Sequence, residues 1–430
     1  MESSDASRPG GDRSPGSIRR EVDADAALWR GLTQRRLSRR QLVRTTAAGA
    51  AAVGLGSLLS ACGIAGTRNT GAPAGFDWGA WWAKQTKQGV LDWANWPLYI
   101  DTSHGRHPSL DRFTKRTGIE VSYKPVIQDN ASFFAQISPV LQAKEGIGFD
   151  LVVITDGWEL TQMIANRWLI PLDHSRIPNF HRHAGPIARH PVFDPRNRYT
   201  VTWQAGITGI GYDPRMTGRE ITSVKDLWDP AFKGKVGMMS DDTELGSAGM
   251  LALGIDPAKS RPSDWRRAAK LLTQQRDDGI VRQYYDQSYI KALEDGDTWI
   301  SQAWSGDVFQ ANYSGFKHLR FVVPKEGGML WHDNCMIPLH AKHPVDAMEW
   351  MNFYYQPHIE GLIEDWVNYI CPVPGAKPVI ANALDDRPVA DSPLVFPTPS
   401  MRKRLRGYYD FKGIEDHQAW TSTFDPIIQS

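Results

Sequence analysis

Five short stretches of this chain each carry an aromatic ring, a carboxylate or both: Asn95-Trp96-Pro97-Leu98-Tyr99, Thr155-Asp156-Gly157-Trp158, Asp241-Asp242-Thr243-Glu244, Trp304-Ser305-Gly306-Asp307 and Trp331-His332-Asp333. None of them contains Lys or Arg. Carboxylates hold ammonium groups through charge-assisted hydrogen bonds, while indole and phenol faces cover methylenes and attract residual positive charge. Gathered in one cleft, these stretches would suit an extended organic cation. The 17 tryptophans in the chain invite such a binding explanation, although most of them are expected to be ordinary core or surface residues.

Other chemistries fit less well. His332 beside Asp333 is the one tempting acid-base pair, but neighbours on a strand point to opposite faces. The twelve histidines are scattered, and H-E-x-x-H, Walker, G-x-G-x-x-G and G-x-S-x-G motifs are all missing. Neither catalysis, a cofactor nor a resident metal is therefore expected. Tyr284-Tyr285 is the available tyrosine pair for a ferric-iron reading.

The chain has 430 residues, 41% hydrophobic and 23% charged, enough apolar material for two domains. With 49 basic and 48 acidic residues it lacks the electrostatic footprint of a nucleic-acid binder. Cysteines occur only at 62, 335 and 371, too few for a disulfide framework or a zinc ribbon.

The elements that would position the five stretches follow from apolar periodicity. Residues 90–94 read as a strand, 108–116 as a helix stopped by Gly118, 119–123 as a strand, 131–142 as a helix and 149–154 as a buried strand. Strand-like 200–212 starts a second set: a helix capped by Ser223 through Trp228, a strand over 234–239, a helix over 264–275, and strands over 298–304 and 320–324. Two α/β lobes are implied, with the five stretches at the carboxyl ends of strands, where open α/β sheets hold ligands. The expected division is 89–200 plus 333–375 for lobe 1 and 201–332 plus 376–430 for lobe 2.

The N-terminal region reads as an address. Ser38-Arg39-Arg40-Gln41-Leu42-Val43-Arg44 leads into an Ala/Gly-rich apolar run that ends in Leu59-Ser60-Ala61-Cys62, similar to a twin-arginine export signal joined to a lipobox. Residues 1–61 are then the signal region, and Cys62 becomes the lipidated N-terminus and membrane anchor. Residues 62–88 form a tether followed by Phe76-Asp77-Trp78-Gly79-Ala80-Trp81-Trp82, expected to fold back on the domain. The processed chain is mildly acidic and is expected to be a monomer.

Four further stretches carry a family resemblance. They are Leu110-Asp111-Arg112-Phe113-Thr114-Lys115-Arg116-Thr117-Gly118-Ile119, Phe149-Asp150-Leu151-Val152-Val153, Asp226-Leu227-Trp228-Asp229-Pro230-Ala231-Phe232-Lys233-Gly234 and Val323-Pro324-Lys325-Glu326-Gly327-Gly328. In order and spacing the chain resembles the spermidine/putrescine-binding proteins of bacterial ABC importers, within the family 1 extracellular solute-binding proteins. The resemblance implies a periplasmic-binding-protein-like (type II) clamshell with the ligand cleft between two lobes. It also implies capture of a polyamine, and delivery to an ABC permease driven by its ATPase at the outer face of the cytoplasmic membrane. Carried over residue by residue, the ligand contacts fall on Trp96, Tyr99, Thr155, Trp158, Asp242 with Glu244, Trp304, Trp331, Asp333 and Tyr369. Asp241 is an alternative to Asp242, and Gln418 is a weaker candidate. Alternatives are the same fold binding a thiamine-like cation or ferric iron, or a ligand sensor without transport.

Cys335 lies two residues past Asp333 and Cys371 two past Tyr369. If Asp333 and Tyr369 line one cleft, the sulfurs come close, and export permits a Cys335–Cys371 disulfide.

Overall fold

The structure, a computed structural model, describes residues 71–429. The expected export signal and Cys62 lie outside the described residues. Ten strands form one mixed sheet: β1 (Val90–Ala94), β2 (Glu120–Lys124), β3 (Leu151–Thr155), β4 (Thr200–Tyr212), β5 (Val236–Met239), β6 (Val281–Tyr285), β7 (Ile300–Trp304), β8 (Arg320–Val322), β9 (Gly328–Met336) and β10 (Leu405–Arg406). The order is β2-β1-β3-β9-β4-β7-β5-β6, with β8 on β4 and β10 on β9. The outer strands pair in parallel: β1 with β2 and β3, and β5 with β6 and β7. Each parallel pair is joined by a crossover that contains a helix, as parallel pairing requires. The central pairs β3–β9, β9–β4 and β4–β7 are antiparallel.

Local chemistry explains the elements. The Pro108–Thr117 helix has Pro at its start, where the missing N–H costs nothing, and stops at Gly118, whose φ of 71° suits a residue without Cβ. It buries Leu110 and Phe113. Asp129 caps the Asn130–Gln142 helix by accepting from Ser132 N at 2.7 Å. Ser223 caps Val224–Trp228 in a reciprocal capping box with Asp226, but the segment is a 3-10 turn rather than the expected α-helix. β4 is buried along all thirteen residues, because both faces of the central sheet are covered.

Each half of the sheet has its own core. Under β1 to β3, Trp93, Trp203 and Trp350 pack with ring centroids 5.1–6.2 Å apart. Beyond β4, Trp265 packs on Trp420 at 5.2 Å and Trp420 on Phe424 at 4.7 Å. These five tryptophans are buried structural residues. Residues Ala376, Ile380, Val389 and Val395 pack in the first core, not with the second lobe where the sequence division placed everything after 375. A chain already in the first half at Cys371 has a nearer apolar surface there, and only the later Phe411, Trp420 and Phe424 reach the second core. Trp78–Trp82 forms a short helix that folds back on the first half. Trp82 is buried and its Nε1 donates to Pro171 O at 2.9 Å. Among the described residues no helix is long and apolar enough to cross a membrane.

One buried carboxylate ties β1, β3 and the segment after β9 together. Asp150, 2% exposed, accepts from Asp92 N at 2.9 Å, Lys342 N at 2.9 Å, His343 N at 2.8 Å and His343 Nδ1 at 2.7 Å. Removing it strands three backbone donors. Asp150→Ala is expected to lower unfolding free energy by about 3 kcal/mol, read as a shift in denaturant midpoint at constant m-value.

Candidate functional site

The end of β1 runs into the first aromatic stretch. Trp96 Nε1 donates to Val153 O at 3.2 Å, and Leu98 takes a left-handed φ of 59° that a β-carbon disfavours. That turn delivers Tyr99 to the sheet centre, where Trp203 Nε1 holds its carbonyl at 3.2 Å. Thr155 ends β3 directly opposite Asp333 on β9. The Thr155 hydroxyl donates to Asp333 Oδ1 at 2.6 Å and the Tyr99 hydroxyl donates to Oδ2.

On the other half, Asp241 accepts from Thr243 N and Glu244 N, each at 2.9 Å, and so starts the Asp242–Ala252 helix. This places Glu244 in the first turn, with its Oε1 accepting from Thr208 Oγ1 at 2.7 Å, Tyr408 OH at 2.6 Å and Trp304 Nε1 at 3.4 Å. Its Oε2 is buried without a partner. Between the two carboxylates sits a third. Asp307 accepts from the Tyr369 hydroxyl at 2.9 Å and the Tyr289 hydroxyl at 2.7 Å, and Tyr289 oxygen in turn accepts from Trp304 N at 2.9 Å. The Tyr369 ring lies 5.2 Å from Trp331 and 5.9 Å from Tyr99.

The β4–β9 register sets the spacing. Gln204 opposes Asp333, Gly206 opposes Trp331, and Thr208 opposes both Met329 and Trp304. Residues 204, 206 and 208 share a face. Gly206 is required because a Cβ there would lie 2.1 Å from Trp331 Cζ2. The indole lies flat on the strand between the Asp333 and Glu244 ends.

Burial dominates the electrostatics. It pushes Asp333 up to about 6, against the stabilising hydroxyl bonds of Thr155 and Tyr99. It pushes Glu244 up to about 7, with the charge of Asp241 adding to it. Burial, followed by the charge of a neighbouring carboxylate, raises Tyr99, Tyr369 and Tyr408 well above the ordinary phenol range, so these hydroxyls stay donors. Among the described residues neither Asp333 nor Glu244 has a Lys or Arg partner. Such a site can hold positive charge.

The structure thus gathers Tyr99, Thr155, Asp333, Trp331, Tyr369, Trp304 and Glu244, with Trp96 beside Tyr99. Two sequence candidates go elsewhere. Trp158 stacks on His417 at 4.2 Å with rings 4° apart, because the Trp158–Ala165 helix faces the C-terminal Ile414–Ile428 helix. Asp242 accepts from Thr243 Oγ1 at 3.1 Å and lies beside Thr421 and Trp420, since a position two residues before Glu244 points to roughly the opposite side of the helix. Asp307, Tyr289, Thr208 and Tyr408 complete the site and were not singled out as ligands; Asp307 stood in a noted stretch, and its spacing three residues after Trp304 on a helix start was the available signal.

The remaining sequence alternatives resolve simply. His332 turns to the opposite face from Asp333, its Nε2 3.2 Å from Ile187 O. Tyr284 and Tyr285 lie on β6 at the sheet edge and pack in different clusters, so they form no paired-tyrosine site. Cys335 and Cys371 are both buried and free, which corrects the expected disulfide. The Cys371 thiol instead donates to Val373 O at 3.2 Å.

Two outcomes follow from this geometry. Between pH 4.5 and about 7 the folded chain retains the Glu244 proton that the unfolded chain releases, so stability falls as pH rises through that window, by on the order of 2–3 kcal/mol. Melting in the absence of amines is expected to be lower at about pH 8 than at about pH 5.5, and Glu244→Gln to flatten the profile. Gly206→Ala is expected to displace the Trp331 indole, seen as altered near-ultraviolet circular dichroism and a loss of about 1–3 kcal/mol in stability.

Comparison with known proteins bears on the family and the fold. The family model described as bacterial extracellular solute-binding protein matches residues 109–397. The spermidine/putrescine-binding periplasmic protein of Salmonella typhimurium is 28% identical over 298 residues, covering 68% of this chain and 81% of its own. The putrescine-binding periplasmic protein SpuD of Pseudomonas aeruginosa is 27% identical over 339 residues, covering 75% and 87%. Among solved structures, a spermidine/putrescine ABC transporter substrate-binding protein from Streptococcus pneumoniae superposes with a TM-score of 0.68 at 24% identity, over 80% of this chain and 98% of that one. A lipoprotein of Treponema pallidum superposes at 0.65 with 20% identity, over 79% and 100%. The fold is that of periplasmic-binding-protein-like substrate-binding proteins, and these relatives bind solutes for ABC transporters rather than catalyse reactions. With more than half of its length matched by the family model, the chain belongs to the bacterial extracellular solute-binding proteins.

Proposed function

We propose that the protein captures a linear polyamine between its two halves and hands it to an ABC permease. One observation carries this reading. Two buried carboxylates, Asp333 from the first half and Glu244 from the second, are held by hydroxyl donors and matched by no Lys or Arg among the described residues. A terminal ammonium at each end would supply the missing charge through charge-assisted bonds. Trp331, Trp304 and Tyr369 would cover the methylenes between them, and Asp307 offers a central carboxylate to a secondary amine. Asp333 with Tyr99 and Thr155 is one jaw, and Glu244 with Thr208 and Tyr408 the other. Closure is favoured because a diamine completes its second set of contacts only when both jaws meet it.

The names of the relatives support the polyamine class, and the family supports a permease partner. We extend the reading to the cell address: twin-arginine export, lipidation at Cys62 and a monomer tethered outside the cytoplasmic membrane. In this reading residues 89–200 and 333–375 contribute the Asp333 jaw and 201–332 the Glu244 jaw, with the chain returning to the second half near β10.

Isothermal titration of the purified protein with spermidine, putrescine, thiamine and ferric citrate tests the reading. Spermidine or putrescine is expected to bind with a Kd of about 1 μM or tighter, and the other two to give no heat. Asp333→Asn should weaken binding by roughly 30-fold or more, since it leaves a desolvated ammonium without its counter-charge. Heat from thiamine or ferric citrate with silence for both polyamines would overturn the ligand class, and unchanged affinity in Asp333→Asn would move the site.

A further inference from the structure

A second set of acids adjoins the Asp333 end of the site, on the face of β4 that Gln204 shares with Gly206 and Thr208, and makes none of the contacts described above. Glu360 and Glu364 stand one turn apart on the Pro357–Val367 helix, so they share a face. Both are 0% exposed, as is Gln204 on β4, and Cys371 is 6% exposed. The side-chain ligand atoms of Glu360, Glu364 and Cys371 all lie within 4.8 Å of one another. Gln204 Nε2 reaches Glu360 Oε1 at 3.4 Å, which aims its amide into the same space.

The polar bookkeeping of this pocket does not close within the chain. Both Glu364 oxygens, Glu360 Oε2 and Gln204 Oε1 are buried without a hydrogen bond of good geometry, and among the described residues only the Tyr369 amide and the Gln204 side chain approach Glu364 as donors. The charged neighbours that act on the pair make matters worse: Glu360 and Glu364 repel each other, and Asp101 and Asp365 add negative charge. The nearby hydroxyls are engaged elsewhere, since Tyr354 and Tyr355 donate to Thr202 O at 3.0 and 2.7 Å, and Tyr99 donates to Asp333. Burying two carboxyls this deeply without a cation costs several kcal/mol. A divalent cation would neutralise both.

The donor set selects the kind of ion. Two carboxylates, a thiol and an amide oxygen mix hard and soft ligands, which excludes the all-oxygen preferences of calcium and magnesium and suits a borderline ion in a closed four-coordinate site. With metal–oxygen and metal–sulfur bonds of about 2.0–2.3 Å, tetrahedral ligand atoms lie roughly 3.5 Å apart, so the present spread would close by about 1 Å. A flip of the Gln204 amide turns its orphaned oxygen inward in place of the nitrogen.

We propose that Glu360, Glu364 and Cys371, with the Gln204 amide oxygen, form a structural site for one zinc-class divalent cation. The site ties the Pro357–Val367 helix and the Cys371 segment to β4 at Gln204. As the ion enters, the thiol proton and any protons on the two carboxyls leave to solvent, and no redox change is involved. Because the ligands are sealed from solvent, the ion enters as the chain folds.

The test uses the full-length protein, unfolded and refolded under reducing conditions with equimolar zinc or cobalt(II), then desalted and analysed for metal. About one equivalent per chain is expected, and the cobalt form should show a near-ultraviolet thiolate-to-metal charge-transfer band. Cys371→Ser should abolish that band, whereas Cys335→Ser and Cys62→Ser should keep it. Glu360→Gln and Glu364→Gln should each cut retained metal at least tenfold, with circular dichroism showing that they fold. Refolded wild-type protein that retains no metal overturns the proposal. So does metal retained equally by the Glu variants, or a charge-transfer band that survives Cys371→Ser, since each assigns the ion to adventitious groups. These readouts do not involve the cleft, so failure here leaves the polyamine reading standing, and the reverse holds.

Discussion

The pairing of β4 with β9 is the constraint on which the rest of the molecule depends. These strands run antiparallel through the centre of the sheet and touch both halves, with β3 beyond β9 on one side and β7 beyond β4 on the other. A slip of one residue would turn Asp333 and Trp331 to the opposite face. The bulge between Thr202 and Gln204 adjusts the register just before the site, a device that re-aims side chains without ending the ladder. On one side of the pairing Thr155 and Tyr99 hold Asp333, and on the other Thr208 holds Glu244, so one ladder fixes the distance between two jaws that belong to different cores.

Burial then gives the site its chemistry. A carboxylate in open water has no need of a partner, but Asp333 and Glu244 are nearly sealed and their acid forms are favoured by desolvation. Hydroxyls from Tyr99, Thr155, Thr208 and Tyr408 orient the oxygens without neutralising them. Fixed donors of this kind leave the negative charge in place, whereas a Lys or Arg would cancel it. The aromatic rings between the carboxylates exclude water and so strengthen every charge contact. Beside Gln204 on the same face of β4, Glu360 and Glu364 show the opposite case, carboxyls with few donors to orient them.

Much of the framework could be read from periodicity. β1 and β4 lie where apolar spacing placed them, and the Pro108–Thr117 helix stops at Gly118, because Pro, Gly and burial on one or two faces act within a few residues. β6, the helices after β9 and the C-terminal helix were not foreseen, since their apolar faces make sense only against partners distant in sequence. Asp242 and Glu244 show the same limit at the site. Both are acids in the first turn of one helix, and composition cannot tell that one faces the C-terminal helix and the other Thr208.

The amino-acid sequence by itself determined which side chains the five loop stretches offer, acids and aromatics without Lys or Arg, because residue type decides charge and polarizability. It also determined the α/β class, through local spacing. Tertiary structure alone decided which acids converge. It brought Asp307 beside Tyr369, sent Trp158 to stack on His417, and left Cys335 and Cys371 unbridged. The physical reason is that convergence depends on strand register and on which core a segment finds nearest. Both are set by contacts between residues a hundred or more positions apart, such as Thr155 with Asp333 and Trp203 with Tyr99.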